Sequence, residues 1–308
     1  MKHAFIMDPL EQVKAYKDTT YYLMLAAQKR GHEVFKLSQM GLSLRHGQPV
    51  ASLLPVTVQD DIEYPFIVGD PEVLLLEDMD CVWERTDPPM NRRYFYTSLL
   101  LDFLPSRVKV VNRPQAIRDW NEKLAALKFP ELTPQTLVSA DRGEILKFLD
   151  GHGRITLKPI DGHGGKGIQF CTAGQGDVED KITLATDHGR RWTIAQQYLT
   201  EADKGDKRIL LLNGDPIGAI LRLHAEGEEL NNLDAGGSAN ATDLTARDLE
   251  ICRSIGPALR DNGIVFAGID VIGDMMIEVN VTSPTGIQEA SRFAKRDLHF
   301  EVIDYLAG

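Results

Sequence analysis

Residues 265–281, VFAGIDVIGDMMIEVNV, contain the side chains with the clearest potential for chemistry. The pattern predicts a β-hairpin, and because Glu278 and Asn280 are two positions apart on its second strand, they project from the same face. With a three-residue turn, Asp270 on the first strand lies directly across from Glu278. Two carboxylates and an amide oxygen form the hard, all-oxygen ligand set that Mg²⁺ prefers. We therefore predict a divalent metal site on this hairpin; the alternative is an acidic strand edge that faces solvent.

The glycine-rich stretch 156–170, TLKPIDGHGGKGIQF, matches two familiar nucleotide-binding motifs only in part. Gly162, Gly164 and Gly167 fit the dinucleotide-binding pattern G-x-G-x-x-G, but that motif must open a helix, and the residues that follow are β-rich. A P-loop requires Ser or Thr after its lysine, where this chain has Gly167. An NAD-dependent oxidoreductase is therefore disfavoured.

The pattern that remains is a β-hairpin with a glycine-rich connection. Glycines let backbone N–H groups approach an anion closely, because no side chain stands in the way. Lys158, at the end of the incoming strand, adds a positive charge. The stretch is therefore predicted to bind phosphate; the alternative is a long flexible turn with an incidental lysine.

A third charged group, Asp206-Lys207-Arg208, opens another predicted hairpin. Alone, such a triplet is usually a solvated surface cluster. Beside a phosphate-binding loop and a metal site, however, Arg208 becomes a candidate for stabilising the charge that develops on a transferred phosphoryl group.

The composition is that of a globular protein with a large core. The chain has 308 residues, of which 43% are hydrophobic and 26% charged, so two or three packed domains are expected. A net charge of −11 disfavours nucleic acid as a partner, because phosphate-backbone binding requires a basic surface. Neither a long apolar run nor a signal-peptide pattern occurs, so we expect no membrane association and a cytoplasmic location. The three widely spaced cysteines argue against disulfides and structural zinc and are expected to be reduced and mostly buried: Cys81, Cys171 and Cys252.

The first third of the chain alternates predicted strands and helices. Asp18 is placed to cap a helix that ends at Gly31. This βαβ pattern is typical of a parallel sheet. The other expected elements are strands at 3–7, 33–37, 81–85 and 108–112, a helix at 92–103 and an irregular, proline-containing region at 45–80.

The remainder of the chain carries two further turn and cap signals. Asn213-Gly214 is predicted to turn a hairpin over 208–223, and Thr245 with Asp248 resembles a capping box for a helix that ends near Asn262. The other expected elements are a helix from Pro114 that includes NEKLAAL (121–127), a strand at 132–138, a helix at 141–150, strands at 154–159, 167–171 and 193–199, a polar segment at 224–243, and helical structure at the C-terminus.

In their order along almost the whole chain, these segments resemble the bacterial, or prokaryotic-type, glutathione synthetases of the ATP-grasp superfamily. The most specific segments are ERTDPP, NEKL, LKPIDG, DKR and EVNVTSPT, supported by MDPLEQVKAYKDTT, AQQYL, NLDAGG and IGPALRDNGIVFAGIDVIGD. The resemblance implies a mixed α/β ATP-grasp fold with an N-terminal parallel-sheet domain. It divides the chain into an N-terminal substrate domain at 1–120, a central lid subdomain at 121–198 and a C-terminal catalytic and metal-binding subdomain at 199–308.

The resemblance also implies an activity. Such enzymes use ATP and Mg²⁺, or Mn²⁺ in its place, to join γ-glutamylcysteine and glycine through an acyl phosphate, giving glutathione, ADP and phosphate. A homo-oligomer, specifically a tetramer, is implied as well. Because an acyl phosphate must be kept from water, a mobile cover is expected, and the polar segment 224–240 is the predicted closing loop; its alternative is a variable surface insertion.

Residue by residue, the resemblance assigns four roles. The ATP site comprises Lys123 and Lys158 at the phosphates, Gly164, Gly165 and Gly167 as the lid over them, Gln197, Tyr198 and Leu199 at the adenine, and Asp206 near the ribose. The metal ligands are Asp270, Glu278 and Asn280, and the catalytic residue beside the γ-phosphate is Arg208. The positions that face the peptide or glycine are Arg85, Arg222, Asn232, Ser283 and Thr285.

Some positions depart from the family pattern. Leu230 and Thr86 stand where an arginine and a lysine are typical, and His224 and Asn231 replace a proline and a glycine. Loss of a cation that could clamp a carboxylate points to weaker binding or to another acceptor, such as β-alanine, serine or glutamate. From a different functional class, a non-catalytic nucleotide-binding protein would bind ATP with Mg²⁺ and show no turnover.

Overall fold

The protein, described by a computed structural model over residues 1–225 and 237–308, contains three β-sheets flanked by helices. The first sheet has the order β3-β4-β2-β1-β7-β8, with β5 and β6 also paired to β4. Its strands are β1 Lys2–Ile6, β2 Glu33–Leu37, β3 Leu42–Arg45, β4 Gln48–Val58, β5 Phe66–Val68, β6 Glu72–Leu75, β7 Cys81–Glu84 and β8 Lys109–Val111. Helices α1 Thr19–Lys29, α2 Arg92–Leu101 and α3 Pro114–Asp119 accompany it.

Strands β2, β1, β7 and β8 are parallel neighbours, as the βαβ pattern predicts. Asp18 caps α1 as expected, because its Oδ1 accepts a hydrogen bond of 2.7 Å from the backbone N of Tyr21. Gly31 follows the helix with φ +79°, a conformation that favours glycine.

The prediction of an irregular region at 45–80 is wrong, because this part of the chain contributes β4, β5 and β6 to the first sheet. The prolines that suggested a loop are compatible with β4. Pro49 is its second residue, and Pro55 still uses its carbonyl as an acceptor for Gly69 N, at 2.9 Å.

The prediction of a helix through NEKLAAL is also wrong, since α3 ends at Asp119 and residues 122–125 form a turn. Asn121 Oδ1 accepts from the backbone N atoms of Lys123 and Leu124, at 3.2 and 3.0 Å. Asn side chains favour such local bonds over a continued helix. The turn at 122–125 carries Lys123 out of the helical path.

The second sheet is antiparallel, with the order β11-β10-β12-β9. Residues 160–168 join β10 to β11, so the glycine-rich stretch lies in a hairpin connection, as predicted. The elements are β9 Thr136–Ser139, α4 Arg142–His152, β10 Arg154–Pro159, β11 Gln169–Thr172, α5 Val178–Ala185 and β12 Thr193–Gln197.

The third sheet has the order β15-β14-β13-β16-β17. The predicted turn at Asn213-Gly214 is confirmed, with φ values of +49° and +80°, and so is the capping box of Thr245 and Asp248. The elements are β13 Asp206–Leu212, β14 Asp215–Leu223, β15 Ser238–Asn240, α6 Ala246–Asp261, β16 Phe266–Ile272 and β17 Met275–Asn280.

Asp270 pairs with Glu278 across β16 and β17, as predicted, but not through a three-residue turn. The turn has two residues, since Ile272 pairs with Met275, and a register shift next to Asp270 restores the pairing. A β-bulge of this kind inserts one extra residue and re-aims the side chains beside it.

The C-terminal helices, α7 Ile287–Ala294 and α8 Leu298–Ala307, both pack against α1, and α7 also packs against β14 of the third sheet. Leu298 and Val302 share a hydrophobic core with Phe5, Leu23 and Trp83. The two ends of the chain are therefore held together by apolar burial, which is the main driving force of folding.

All three cysteines are buried free thiols: Cys81, Cys171 and Cys252. Burial raises the pKa of Cys81 and Cys171 and raises that of Cys252 to about 12. Across the described residues, every helix is too short or too polar to span a bilayer.

Candidate active site

A cavity of about 690 Å³ opens between the three sheets. This volume falls in the range of small-molecule sites. The predicted residues that line it are Arg85, Lys123, Lys158, Gly164, Gly165, Gln197, Tyr198, Leu199, Asp206, Arg208, Arg222, Asp270, Glu278, Asn280, Ser283 and Thr285.

Three predicted features do not join that lining. Gly167 belongs to the same loop but does not line the cavity. Asn232, with Leu230 and Asn231 among the family departures, lies outside the described residues. So does most of the predicted closing loop, 224–240.

The glycine-rich loop adopts a backbone that side chains would strain. Gly164, Gly165 and Gly167 have φ values of +58°, +76° and +77°. At Gly162, a Cβ atom would lie 2.5 Å from Pro159 Cγ, closer than real contacts allow. The loop therefore brings bare main chain to the cavity, which is what close approach to a phosphate requires.

Two lysines reach the cavity beside this loop. Lys123 Nζ donates to Glu278 Oε1 at 3.0 Å and also to the carbonyl of Gly162. Lys158 Nζ donates to Gln196 Oε1 at 2.7 Å. Burial lowers the pKa of Lys158 to about 8, while nearby Glu278 acts in the opposite direction. Both ammonium groups can exchange a protein acceptor for a phosphate oxygen.

The third sheet sets four charged side chains side by side; we call Asp206, Arg208, Arg222 and Asp270 the charge array. Register explains it, because Asp206 pairs with Arg222 across β13 and β14, and Arg208 pairs with Asp270 across β13 and β16. Opposite charges therefore alternate over three adjacent strands.

In the charge array, each guanidinium makes short, bidentate hydrogen bonds to a carboxylate. Arg208 donates to Asp270 Oδ1 at 2.5 Å and Oδ2 at 2.9 Å. Arg222 donates to both oxygens of Asp206, at 2.6 and 2.8 Å, and its Nη2 lies 2.9 Å from Asp270 Oδ2. Both oxygens of each carboxylate are thus engaged by guanidinium groups.

The pKa values of the two carboxylates in the array shift in opposite directions. Burial raises the pKa of Asp206 to about 6, although Arg222 opposes it. Burial alone would also raise the pKa of Asp270, but Arg208 and Arg222 together outweigh it and hold that pKa below its usual range. Asp270 is therefore a carboxylate anion in this state.

The predicted metal ligands meet a simple chemical test. Asp270, Glu278 and Asn280 lie on facing strands β16 and β17 and line the cavity, so they offer hard oxygen donors to one place. Asn280 Nδ2 lies 3.3 Å from Asp270 Oδ2. Over residues 1–225 and 237–308, no group of three or more His, Cys, Asp or Glu side chains could hold a metal ion, and the third donor of the predicted set is the amide of Asn280. The donor chemistry fits a divalent cation that exchanges with the arginine and lysine partners.

An aromatic corner closes another side of the cavity. The Arg154 guanidinium lies 3.8 Å from the Tyr198 ring centre, and the Phe170 ring meets Tyr198 edge-on at 5.7 Å. Gln197 and Leu199 flank Tyr198 at the end of β12. A flat heteroaromatic base suits such a corner.

Arg85 stands apart from the other arginines of the cavity. It is 4% exposed; its Nε donates to Thr20 Oγ1 at 3.1 Å and its Nη2 donates to Pro284 O at 3.0 Å. Within the described part of the chain, Arg85 forms no ion pair. Burial lowers its pKa, while Asp18 and Asp87 act in the opposite direction. A buried guanidinium with only neutral acceptors is suited to receive a carboxylate from a ligand.

The predicted residues of SPT lie beside Arg85. Ser283 Oγ donates to the main-chain O of Arg85 at 3.2 Å. The carbonyl of Thr285 accepts from Arg208 Nη1 at 3.4 Å. These bonds bring 283–285 between Arg85 and the charge array.

Sequence reasoning missed two acidic residues next to residues that it named. Glu122, beside Lys123, lines the cavity and accepts three hydrogen bonds through one oxygen. Glu84, beside Arg85, is fully buried; it accepts from Thr86 N at 3.1 Å, and burial raises its pKa to about 7. In both cases the sequence contained a signal that could have identified the residue, namely an acidic residue directly before a predicted site cation.

Comparisons with known proteins identify the family. The model of the prokaryotic glutathione synthetase N-terminal domain matches residues 1–118, and that of the prokaryotic glutathione synthetase ATP-grasp domain matches residues 122–295. The glutathione synthetase of Parasynechococcus marenigrum is 41% identical over 308 residues, covering 99% of both chains. That of Agrobacterium fabrum is 40% identical over 295 residues, covering 96% of this chain and 92% of the other.

Solved structures support the fold. An ATP-grasp RimK domain protein from Sphaerobacter thermophilus has a TM-score of 0.64 at 17% identity and full coverage of both chains. The ATP-grasp ligase PsnB, complexed with a precursor variant, Mg and ADP, has a TM-score of 0.63 at 17% identity, covering 99% of this chain and 97% of that one. The predicted ATP-grasp fold is confirmed, and the chain belongs to the prokaryotic glutathione synthetases, a family of ATP-dependent ligases that use a divalent metal ion.

Proposed function

We propose that this chain joins γ-glutamylcysteine to glycine with ATP, giving glutathione, ADP and phosphate. Family membership over the full chain supports the reaction class. The observation that carries the substrate side is Arg85, a buried guanidinium that forms no ion pair with any described residue, in the same cavity as Lys123 and Lys158. One cavity thus offers cations to a polyphosphate and, separately, to a peptide carboxylate.

In the first step, a cysteinyl carboxylate oxygen attacks the γ-phosphorus of ATP, and ADP leaves with the electrons of the broken P–O bond. Lys123, Lys158 and the main chain of the glycine-rich loop hold the phosphates. Arg208 lies where it can stabilise the charge that spreads over the transferred phosphoryl oxygens. The product of this step is an acyl phosphate.

In the second step, the glycine amino group attacks the acyl carbon, inorganic phosphate leaves and the nitrogen loses a proton. Arg85 and the hydroxyl groups of Ser283 and Thr285 orient the peptide. Arg222 lies between the carboxylates of the charge array and can turn to the leaving phosphate. Orientation of this kind supplies much of the rate enhancement in bimolecular reactions.

A divalent ion would be held by Asp270, Glu278 and Asn280, and we propose Mg²⁺, with Mn²⁺ as a substitute. Its contribution when bound is to neutralise negative charge on the phosphate oxygens. The oxygen-only donor set supports this assignment, because Mg²⁺ is commonly bound by one or two carboxylates together with substrate phosphates.

The nucleotide base is proposed to lie in the corner formed by Gln197, Tyr198 and Leu199. The edge-on pair of Tyr198 and Phe170 supports this placement. Asp206 is proposed to lie near the ribose, and it would have to release one of its bonds to Arg222 to contact a hydroxyl.

A coupled assay of ADP release tests the proposal. The purified protein is supplied with ATP, Mg²⁺ and γ-glutamylcysteine, and the acceptor is varied among glycine, β-alanine, serine and glutamate. We expect turnover that depends on both the peptide and the acceptor, with the highest kcat/KM for glycine. Absence of acceptor-dependent ADP release with γ-glutamyl peptides would contradict the proposal. A higher kcat/KM for another amino acid would identify that amino acid, rather than glycine, as the acceptor.

A further inference from the structure

Glu122 uses one carboxylate oxygen to hold the segment that follows the predicted metal-binding strand. Its Oε1 accepts from Val281 N at 3.0 Å, from Thr282 N at 3.1 Å and from Thr282 Oγ1 at 2.7 Å. The main-chain O of Glu122 also accepts from Val279 N at 2.8 Å. The turn at 122–125 is therefore bound to the end of β17 by both its backbone and a side chain.

The segment 281–285 has only a few other fixed points. Asn112 Nδ2 donates to Val281 O at 2.8 Å, Pro284 O accepts from Arg85, Ser283 Oγ donates to Arg85 O, and Thr285 O accepts from Arg208. Glu122 and Asn112 fix the start of this segment, and the two arginines fix its middle and its end. Ser283 and Thr285 belong to the part that the arginines hold.

A carboxylate is well suited to this task. Hydrogen bonds to an ionised acceptor are roughly twice as strong as neutral ones, and one oxygen can accept from several donors. Glutamine preserves the length and the acceptor oxygen but not the charge, whereas aspartate is one methylene shorter. The pattern of three donors on one oxygen thus predicts graded effects of substitution.

We infer that Glu122 is a positioning residue that orients segment 281–285, and through it Ser283 and Thr285, toward the peptide substrate. The role rests on the proposed function, because it assumes that these two hydroxyl groups face the peptide. Lys123, next in the chain, points instead to Glu278 and the glycine-rich loop. Adjacent residues of one turn therefore serve different substrates.

Steady-state kinetics of Glu122→Ala and Glu122→Gln separate this role from general stabilisation. We expect Glu122→Ala to raise the KM for γ-glutamylcysteine by about tenfold or more, because two backbone donors and a hydroxyl lose their acceptor. The KM for ATP should change by less than about threefold, since the backbone bond of residue 122 and Lys123 both remain. Glu122→Gln should restore most of the peptide KM.

A second variant tests the same contact by changing its donor, Thr282, instead of its acceptor, Glu122. Thr282→Val removes only the hydroxyl donor, and we expect a smaller rise in peptide KM, about threefold. In the double variant with Glu122→Ala, the valine should add nothing further, because the shared bond is already lost. Glu131→Ala, which removes an exposed glutamate from the same stretch of chain, is the matched control and should leave both KM values unchanged.

A peptide KM that stays within about twofold of the wild type in folded Glu122→Ala would overturn the inference, as would equal losses for ATP and peptide or strict additivity with Thr282→Val. Hydrogen exchange gives a readout that needs no substrate: the amides of Val281 and Thr282 should exchange faster in Glu122→Ala. Unchanged exchange there overturns the positioning role. If the wild type lacks ligase activity, the proposed function fails, and the exchange result still decides whether Glu122 orients the segment.

Discussion

In the charge array, Arg208 and Arg222 each face carboxylates at 2.5 to 2.9 Å, whereas the guanidinium of Arg85, in the same cavity, donates its hydrogen bonds to a hydroxyl and a main-chain carbonyl. The array is internally neutralised, so an incoming phosphate or metal ion must exchange partners with groups that are already bound. Arg85 has been taken out of water without a direct ion pair among the described residues, although Asp18 and Asp87 lie near enough to raise its pKa, and a ligand carboxylate would supply such a pair. The first region is suited to a ligand that brings both negative and positive charge, such as a metal-bound nucleotide, and the second to a simple anion.

The largest expected effect comes from Asp270→Asn, which removes the charge that both arginines share. We expect kcat to fall by about a hundredfold or more at saturating Mg²⁺, because a metal clamp contributes several kcal/mol and about 3 kcal/mol exceeds a hundredfold in rate. ADP release measures the loss, and circular dichroism checks that the protein is folded. Near-normal turnover would show that Asp270 is not a metal ligand, and it would argue against the distinction between the charge array and Arg85.

Arg85→Met tests the other region. The KM for the peptide should rise by about a hundredfold, because truncating one partner of a buried charge pair costs 2–5 kcal/mol, while the KM for ATP stays nearly constant. The Tm of the ligand-free protein should fall less than that of Arg222→Met, since Arg85 forms no direct ion pair within the described residues, although Asp18 and Asp87 lose a nearby positive charge. Arg222→Met should lower the Tm, because it leaves Asp206 and Asp270 with fewer partners. If the two variants have the same Tm shift, the contrast between the regions is wrong.

The pH dependence of nucleotide binding probes Lys158. Burial lowers its folded-state pKa to about 8, so the ammonium is present below that pH and is lost as the pH rises through it. We expect the Kd for ATP to rise by up to about tenfold between pH 7 and pH 9, because ATP binding then requires Lys158 to take up one proton. Isothermal titration calorimetry measures the profile. Lys158→Arg, which stays charged, should flatten it, and a wild-type profile that is already flat would exclude Lys158 from the phosphate contact.

The smallest effect concerns the metal alone. Because Arg222 lies against Asp270, Arg222→Met should tighten Mn²⁺ binding to the nucleotide-free protein by several-fold, roughly up to tenfold, as a competing cation is removed. Electron paramagnetic resonance titration of free Mn²⁺ gives the affinity directly. Arg247→Met is the control, since Arg247 pairs with Glu250 on α6, outside the cavity. An equal change in both variants would assign the effect to net charge rather than to the array.

Local signals in the sequence were sufficient where a short-range bond decides the structure. The cap at Asp18, the capping box at Thr245 and the turn at Asn213 are each settled within a few residues, and all three are present. The pairing of Asp270 with Glu278 was also accessible, because strand alternation and a tight turn determine it to within one residue.

Other features could not be predicted because they depend on distant parts of the chain. Residues 121–127 have strong helix formers, yet this segment is not helical, and Glu122 bonds instead to residues 279–282, far away in the sequence. The ion pairs of Arg222 with Asp206 and Asp270 require the register of three strands, which no local pattern contains. Arg85 forms no direct ion pair within the described residues because of how the first and third sheets pack, so the sequence could identify the residue as a site cation but not its lack of an ion pair.

The burial of the three cysteines affects how this protein can react with a substrate that carries a thiol. Thiol–disulfide exchange begins with a thiolate, and a raised pKa together with burial keeps Cys81, Cys171 and Cys252 as protonated thiols out of solvent. Under the proposed reaction, the sulfur able to attack a disulfide is then the one carried by the substrate. The enzyme can handle a redox-active peptide without forming mixed disulfides with it.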